Sequence, residues 1–434
     1  MPRVALHTLG CKLNFAETST IGKQFLGRGF EIVPFGSPAE VTVINTCSVT
    51  AKANQECRQM IRRALRVAPE SYVIVTGCYA QLAPEEVSRI SGVDLVAGTN
   101  EKFQLFSLAG DMQKLSCAAV HVSSIEAPLG FLPAATTEAG GRTRAYLKVQ
   151  DGCDYTCSFC TIPKARGASR SQSVEACVQE ARDLVNEGYK EIVLTGVNIG
   201  DFGRKSGTSL YQLLVALLGI GELERIRISS IEPNLLTDEI LDLAAANRRI
   251  CRHFHIPLQS GSEDILARMR RRYRPSDYAR LIGKIRSRIP ACTIGADVIV
   301  GFPGETDARF EETHGFLADL PVSYLHVFTY SERPGTPASS MDDAVPVEVR
   351  SRRTTQLRAL SERKRAAHLR TLIGQKVEVL LESEQDDGLR FGLTDTYCRI
   401  GVPGAGTSEN VIVSAIVEEA RGGYCTASIV TEAA

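Results

Sequence analysis

Gly152-Cys153-Asp154-Tyr155-Thr156-Cys157-Ser158-Phe159-Cys160 is the stretch from which the rest of this chain is read. Three cysteines spaced Cys-x3-Cys-x2-Cys are too compact to be scattered core thiols. Thiolates so placed can wrap one corner of a cubane iron–sulfur cluster, holding three irons and leaving the fourth without a protein ligand. Zinc is the competing metal. A structural zinc site is normally closed by four ligands, and no fourth cysteine or any histidine lies within about a dozen residues on either side.

Upstream, three short apolar, β-branched runs each end in a cysteine. Val4-Ala5-Leu6-His7-Thr8-Leu9-Gly10 precedes Cys11, Val41-Thr42-Val43-Ile44-Asn45-Thr46 precedes Cys47, and Tyr72-Val73-Ile74-Val75-Thr76-Gly77 precedes Cys78. A helical pattern follows each. Asn14 with Glu17 reads as a capping box, Ala51 to Val67 as a helix, and Pro84-Glu85-Glu86 as a first turn. The cysteines therefore fall in strand-to-helix loops, which gather at the carboxyl edge of an open parallel sheet, where ligands bind. That predicts a second three-cysteine site. The plainer alternative is three unrelated buried thiols.

Composition sets the frame. The chain has 434 residues, enough for about three domains, and 44% hydrophobic content, enough for packed cores. No stretch approaches the ~20 apolar residues that span a bilayer, and the start lacks a signal-peptide core, so no membrane association and a cytoplasmic location are expected. That compartment is reducing, so the 13 cysteines are read as ligands and buried thiols rather than disulfides. Cys57, Cys117, Cys177, Cys251, Cys292, Cys398 and Cys425 lack ligand-like spacing and are read as core residues.

The middle of the chain alternates strands with helical stretches, the pattern of a parallel sheet with crossover helices. Strand candidates are Ala145–Val149, Glu191–Leu194, Arg225–Ser229, His253–Ile256, Ala296–Val300 and Tyr324–Phe328. Six units make a partial barrel rather than a closed eightfold one. From Gln375 the pattern changes to short alternating strands, Lys376–Leu381, Arg390–Thr394, Tyr397–Val402, Val411–Val417 and Thr426–Val430, which predict a small β-barrel. The fold class is thus α/β: an N-terminal open parallel α/β sheet, a central partial (β/α)6 barrel and a C-terminal small β-barrel.

The central cysteine motif and its setting resemble the radical S-adenosylmethionine (SAM) superfamily, in which SAM chelates the free iron. Lys148-Val149-Gln150-Asp151-Gly152 before the motif and Thr161-Ile162-Pro163-Lys164-Ala165-Arg166-Gly167 after it resemble the methylthiotransferase branch. Leu9-Gly10-Cys11-Lys12-Leu13-Asn14, Asn45-Thr46-Cys47-Ser48-Val49-Thr50 and Thr76-Gly77-Cys78-Tyr79-Ala80-Gln81 resemble the signatures of its MtaB-type tRNA-modifying members. Enzymes acting on isopentenyladenosine usually carry Gln-Met-Asn in the first signature. Arg333-Pro334-Gly335-Thr336-Pro337-Ala338 is similar to the family's ending of the barrel.

The resemblance implies three domains: residues 1–125 with an auxiliary iron–sulfur cluster, 140–370 as the radical SAM domain, and 371–434 as a TRAM-like RNA-binding barrel. It implies two 4Fe-4S clusters, one on Cys153, Cys157 and Cys160 and one on Cys11, Cys47 and Cys78, all six catalytic. SAM contacts are expected from Phe159 beside the adenine, and from Gly196, Asn198, Glu232, Gln259 and Gly301 at the strand ends. The first cluster would pass one electron to SAM, releasing a 5′-deoxyadenosyl radical that takes hydrogen from C2 of adenine. The second would hold a methylated sulfur for that carbon. The substrate implied is threonylcarbamoyladenosine beside the anticodon of tRNA, with Arg166 and Arg333 as candidate partners of its carboxylate. A reductase or flavodoxin-type electron donor is implied, and the sulfur donor is left open.

The formal net charge is zero, yet arginines cluster at Arg268, Arg270, Arg271, Arg272 and Arg274, and again along Arg350, Arg352, Arg353, Arg358, Arg363, Lys364, Arg365 and Arg370. Such clusters can neutralise phosphates; a solvated helix face is the alternative for the second. The C-terminal segment is acidic, which favours positioning of tRNA by shape there. The rival functions are a ribosomal-protein or isopentenyladenosine-tRNA methylthiotransferase and a non-catalytic iron–sulfur electron carrier.

Overall fold

The computed structural model describes residues 1–48, 51–126, 130–136 and 143–430. Val49 and Thr50 of the second signature, residue 140 at the expected start of the central domain, and residues 431–434 lie outside the described residues. The N-terminal part is a six-stranded sheet of β1 (Arg3–Thr8), β2 (Glu31–Val33), β3 (Val41–Thr46), β4 (Tyr72–Gly77), β5 (Leu95–Ala97) and β6 (Ala119–His121). Every pairing is parallel, in the order β2-β1-β3-β4-β5-β6. β3 and β4 are buried along their whole length, as strands covered on both faces must be.

The helices after the cysteines fall where expected, at Lys12–Leu26, Ala51–Val67, Cys78–Leu82 and Pro84–Ser88. The capping box does not form. Cys11 is the N-cap, and Asn14 and Glu17 sit inside the first helix with their side chains buried in tertiary contacts. Long-range hydrogen bonds and ion pairs have overridden the local signal.

The central strands are β7 (Arg144–Lys148), β10 (Glu191–Thr195), β11 (Arg225–Ile228), β12 (His253–His255), β13 (Thr293–Val300) and β14 (Tyr324–Thr329). Between the first two lies a short antiparallel pair, β8 (Gln150–Asp151) with β9 (Arg170–Ser171). The parallel sheets β7-β10-β11 and β12-β13-β14 are joined by isolated parallel bridges Ile226 to Ile250 and Ser230 to His255, so six strands curve as a partial barrel. Alternation sets what each face carries. Ala145, Leu147, Ile226, Ile228, Phe254, Ile294, Ala296 and Val298 pack outward into one core with the surrounding helices. The alternate residues, among them Tyr146, Arg227, His253, His255, Asp297, Tyr324 and His326, face inward, so the lumen is polar.

The C-terminal strands β15 (Lys376–Asp386), β16 (Leu389–Thr394), β17 (Arg399–Pro403), β18 (Ile412–Arg421) and β19 (Tyr424–Ile429) form a closed barrel in the order β15-β16-β17-β19-β18. β15 runs beyond the expected Leu381 through an irregularity in its pairing with β16. Tyr397 and Cys398, expected in a strand, instead lie between the turn at Asp395-Thr396 and the start of β17. The helix Val347–Arg370 links this barrel to the central one. No helix among the described residues is long and apolar enough to cross a membrane.

Candidate active site

Cys153, Cys157 and Cys160 lie on the loop between β8 and the helix Ile162–Arg166, at the carboxyl end of the central strands. Their sulfurs accept hydrogen bonds from the protein. The Tyr155 backbone N–H donates to Cys153 Sγ at 3.4 Å, the Ile162 N–H to Cys160 Sγ at 3.4 Å, and Arg271 Nη1 to Cys157 Sγ at 3.2 Å. Arg271 is fixed by an ion pair with Glu232 and a 3.1 Å hydrogen bond from its Nε to the Tyr273 hydroxyl. Burial pushes the Cys153 thiol up to about 11 and the Cys160 thiol up to about 12, and for Cys160 the nearby charges of Cys157 and Cys153 add to the rise. Such thiols ionise when a metal takes the proton's place.

A cleft of about 200 Å³ adjoins this loop, lined by Phe159, Cys160, Gln259, Asp297, Phe328 and Tyr330 among others. Gln259 stands at φ +70 and its Oε1 is buried with no hydrogen-bond partner among the described residues, an acceptor left for a ligand. Of the six expected SAM contacts, the cleft brings Phe159 and Gln259 together. Glu232 stands behind Cys157, on Arg271. Gly196 packs against Gln150, which accepts from the Asn198 N–H at 2.8 Å, and Asn198 Nδ2 donates to Asp201 at 3.1 Å. Gly301 is in the left-handed region at φ +77, and the place of its Cβ is filled by the side chain of Arg350. These four residues shape the strand-end loops without lining the cleft.

The N-terminal cysteines stand on neighbouring loops at the carboxyl edge of the first sheet. A left-handed glycine precedes Cys11, Cys78 and Cys153, with φ +100 at Gly10, +94 at Gly77 and +69 at Gly152. At Gly10 the reason is visible: a Cβ there would lie 2.7 Å from Cys47 Cβ and 2.9 Å from its Sγ, so only glycine lets the first loop rest on the second. Asn14 Nδ2 donates to the carbonyls of Leu9 at 2.7 Å and Thr46 at 3.1 Å, tying the same loops. Crowding by the surrounding loops raises the Cys11 thiol although the residue keeps an exposed face, Arg166 opposes the rise, and Cys78 adds to it. Among the described residues no three Cys, His, Asp or Glu side chains already close on one point as ligands of a single ion. What the fold supplies is a set of thiols on adjoining loops with cationic Arg166 and Arg333 beside them, a donor set suited to an anionic iron–sulfur cluster.

Arg166 is not at a substrate mouth. It is buried, ion-paired to Glu17 at 3.0 Å and Asp151 at 3.1 Å, and donates to Asn14 Oδ1 at 2.6 Å. Arg333 donates to Ser48 Oγ at 2.6 Å, next to Cys47, and keeps a buried Nε without a partner among the described residues. In the second arginine cluster, Arg353 is buried and paired with Glu305 at 2.8 Å and Asp307 at 2.7 Å, whereas Arg352 and Arg358 are exposed.

The family model for the radical SAM superfamily matches residues 147–317, and that for the uncharacterized protein family UPF0004 matches residues 3–98. The threonylcarbamoyladenosine tRNA methylthiotransferase MtaB of Bacillus subtilis is 39% identical over 92% of this chain and 90% of its own length. That of Thermotoga maritima is 37% identical over 96% of each. The chain belongs to the radical SAM methylthiotransferase family. A Frankia alni tRNA-2-methylthio-N(6)-dimethylallyladenosine synthase is 33% identical over 88% of this chain and 78% of its own. Among solved structures, the radical SAM methyltransferase TsrM of Kitasatospora setae shares the fold, with TM-score 0.54 and 16% identity over 78% of this chain and 77% of that one. Methylthiotransferases of this family work with SAM and two 4Fe-4S clusters.

Reading the sequence for cysteines left the inward-facing charges of the barrel unassigned. The signal was present in Arg225-Ile226-Arg227-Ile228 and His253-Phe254-His255-Ile256, where apolar residues take the outer face and charged or polar ones the lumen.

Proposed function

We propose that this chain inserts a methylthio group at C2 of N6-threonylcarbamoyladenosine beside the anticodon of tRNA. The observation that carries the reading is the 37–39% identity, over about nine-tenths of the chain, to tRNA methylthiotransferases named for that nucleoside. Residues 1–125, 140–370 and 371–434 act as the auxiliary-cluster, radical SAM and TRAM-like units. Cys153, Cys157 and Cys160 hold one cluster; Cys11, Cys47 and Cys78 hold the other. When bound, these groups with SAM supply a one-electron reduction, a hydrogen-abstracting radical and a methylated sulfur.

The chain's own residues do the rest. Arg271 donates to Cys157 and holds positive charge against the first site. Phe159 and Gln259 line the cleft beside Cys160, where an adenine ring can lie on the aromatic face and find an amide acceptor. Gly196, Asn198, Glu232 and Gly301 set the loops around it. Arg166, between Asn14 and Asp151, keeps the two cysteine sets at a fixed separation. A flavodoxin-type donor would reach the central loop in the cytoplasm.

The test is mass spectrometry of tRNA nucleosides from cells with and without this gene. The reading requires that 2-methylthio-threonylcarbamoyladenosine disappear on deletion while its unmethylthiolated parent accumulates. Loss of the isopentenyl counterpart instead would move the chain to the other tRNA subfamily.

A further inference from the structure

The inward-facing residues at the amino-terminal mouth of the central barrel are charged or polar. Arg144 lies in β7, Glu191 in β10, Arg225 and Arg227 in β11, and His253 in β12. The C-terminal barrel closes this mouth. Arg225 donates to the carbonyls of Leu393 at 3.0 Å and Glu378 at 2.8 Å, Arg227 to those of Thr394 at 3.0 Å and Asp395 at 2.9 Å, and Arg252 to the Asp395 carboxylate at 2.6 Å. So clasped, the turn presents Tyr397, a bulky residue in the left-handed region at φ +66.

Three segments of the chain meet on that ring. His253 stacks on it with centroids 4.6 Å apart, and three cations surround it: Arg227 Cζ at 5.0 Å, Arg144 Cζ at 5.7 Å and Lys12 Nζ at 5.7 Å from its centroid. Lys12 comes from the N-terminal domain and directly follows Cys11. A continuous wall connects this floor to the cleft beside Phe159. Asp297 lines the cleft and accepts from His255 Nε2 at 2.7 Å, His326 packs edge-on against His255 and Tyr324, and the Tyr324 hydroxyl meets His253 Nε2 at 2.8 Å.

The cations on this floor are not all satisfied. Arg227 is engaged by Glu191 at 2.6 and 3.1 Å and by two carbonyls. Arg144 donates its Nε to Glu382 at 3.1 Å, but its Nη1 is buried with no hydrogen-bond partner among the described residues. Lys12 makes no ion pair or hydrogen bond among the described residues; its contact is the face of Tyr397. The carboxylates nearby, Glu191, Glu382 and Asp395, are each held by an arginine. Donors left unpaired among neighbouring cations call for an anion.

We propose that Lys12 and Arg144, above Tyr397, receive a carboxylate of the substrate; on the proposed function, on which this rests, it is the threonyl carboxylate of the modified adenosine. A guanidinium edge and an ammonium on one side of a carboxylate give charge-assisted hydrogen bonds with directional selectivity. A group held here lies one residue from Cys11, which keeps the purine that bears it beside the N-terminal cysteine set. The C-terminal barrel then contributes to specificity inside the catalytic chamber through Tyr397.

The test compares two ligated tRNAs, one carrying N6-threonylcarbamoyladenosine and one carrying its neutral threoninamide analogue, with reconstituted full-length enzyme. Wild type should favour the carboxylate form by at least about tenfold in kcat/KM. In Lys12→Met and in Arg144→Gln that ratio should fall toward one, through loss on the carboxylate form alone. A ratio unchanged in both variants overturns the proposal. Equal losses on both tRNAs also overturn it, because they mark a receptor for a backbone phosphate. Should Arg144→Gln fail to fold, Lys12→Met decides, since its side chain breaks no ion pair. Wild-type enzyme inactive on both tRNAs but active on an isopentenyladenosine tRNA would instead remove the substrate reading itself.

Discussion

Arg166 and Glu17 form an ion pair, Nη1 to Oε1 at 3.0 Å, with both side chains buried. Glu17 belongs to the first helix of the N-terminal sheet and Arg166 to the turn of helix that follows the central cysteines. Lys102 at 2.8 Å and Lys148 at 3.1 Å also bind Glu17, while Asp151 binds Lys148 at 2.7 Å and Arg166 at 3.1 Å. The junction between the two cysteine-bearing units is therefore a closed charge network.

Breaking it should be costly. Glu17→Gln leaves three buried cations short of a carboxylate and should destabilise the protein by ~3–5 kcal/mol, read as a lowered urea midpoint. The cations around Glu17 hold its carboxyl well below the usual range despite burial. The folded group is thus the stronger acid, and the unfolded chain takes up the proton first as pH falls. The stabilisation is full above an ordinary carboxylate pKa of ~4.3 and is lost as pH drops below that toward the folded value. Stability measured against pH should show this acid limb in wild type and a shallower one in Glu17→Gln.

The cysteine sets should divide their labour. Cys153, Cys157 and Cys160 replaced by Ala should abolish SAM cleavage. The same change at Cys11, Cys47 and Cys78 should leave cleavage detectable and eliminate methylthio product. Each triple variant should lose about four irons per chain. Methylthio-nucleoside made by the N-terminal triple variant would remove the sulfur-holding role.

Arg271 should tune the central cluster. A cationic donor at 3.2 Å from Cys157 Sγ stabilises the reduced, more negative cluster. Arg271→Gln should therefore shift its reduction potential to more negative values in a potentiometric titration followed by electron paramagnetic resonance. An unchanged potential would reduce Arg271 to a packing partner of Glu232.

On the long helix the structure separates two kinds of arginine. Reversal of exposed Arg352 and Arg358 to Glu should weaken tRNA binding and flatten its salt dependence, as fewer phosphate contacts release fewer counterions, with little change in Tm. Reversal of Arg353 should instead lower Tm, because Glu305 and Asp307 lose their partner. Binding isotherms at several salt concentrations, with thermal melts, separate these outcomes.

Periodicity explains what can be read from the residues. The six central strands are legible because each apolar run is bounded by turn residues, and the three strand-to-cysteine loops because each run there ends in a thiol as well. The closed C-terminal barrel is legible for the same reason, although the exit of β15 beyond Leu381 is hidden by its acidic outer residues. The role of Arg166 is not legible, since its partners Glu17 and Asn14 come from a segment far away in sequence and carry a misleading capping signal. Nor is Tyr397, whose place under the central barrel is set by Arg225, Arg227 and Arg252 reaching across a domain boundary.

The substrate assignment is tested most directly with purified, reconstituted enzyme given two tRNAs that differ at one nucleoside. Methylthiolation should occur on tRNA bearing threonylcarbamoyladenosine and be essentially absent on the same tRNA bearing isopentenyladenosine. Efficient product on the isopentenyl form, with none on the threonylcarbamoyl form, would contradict the account.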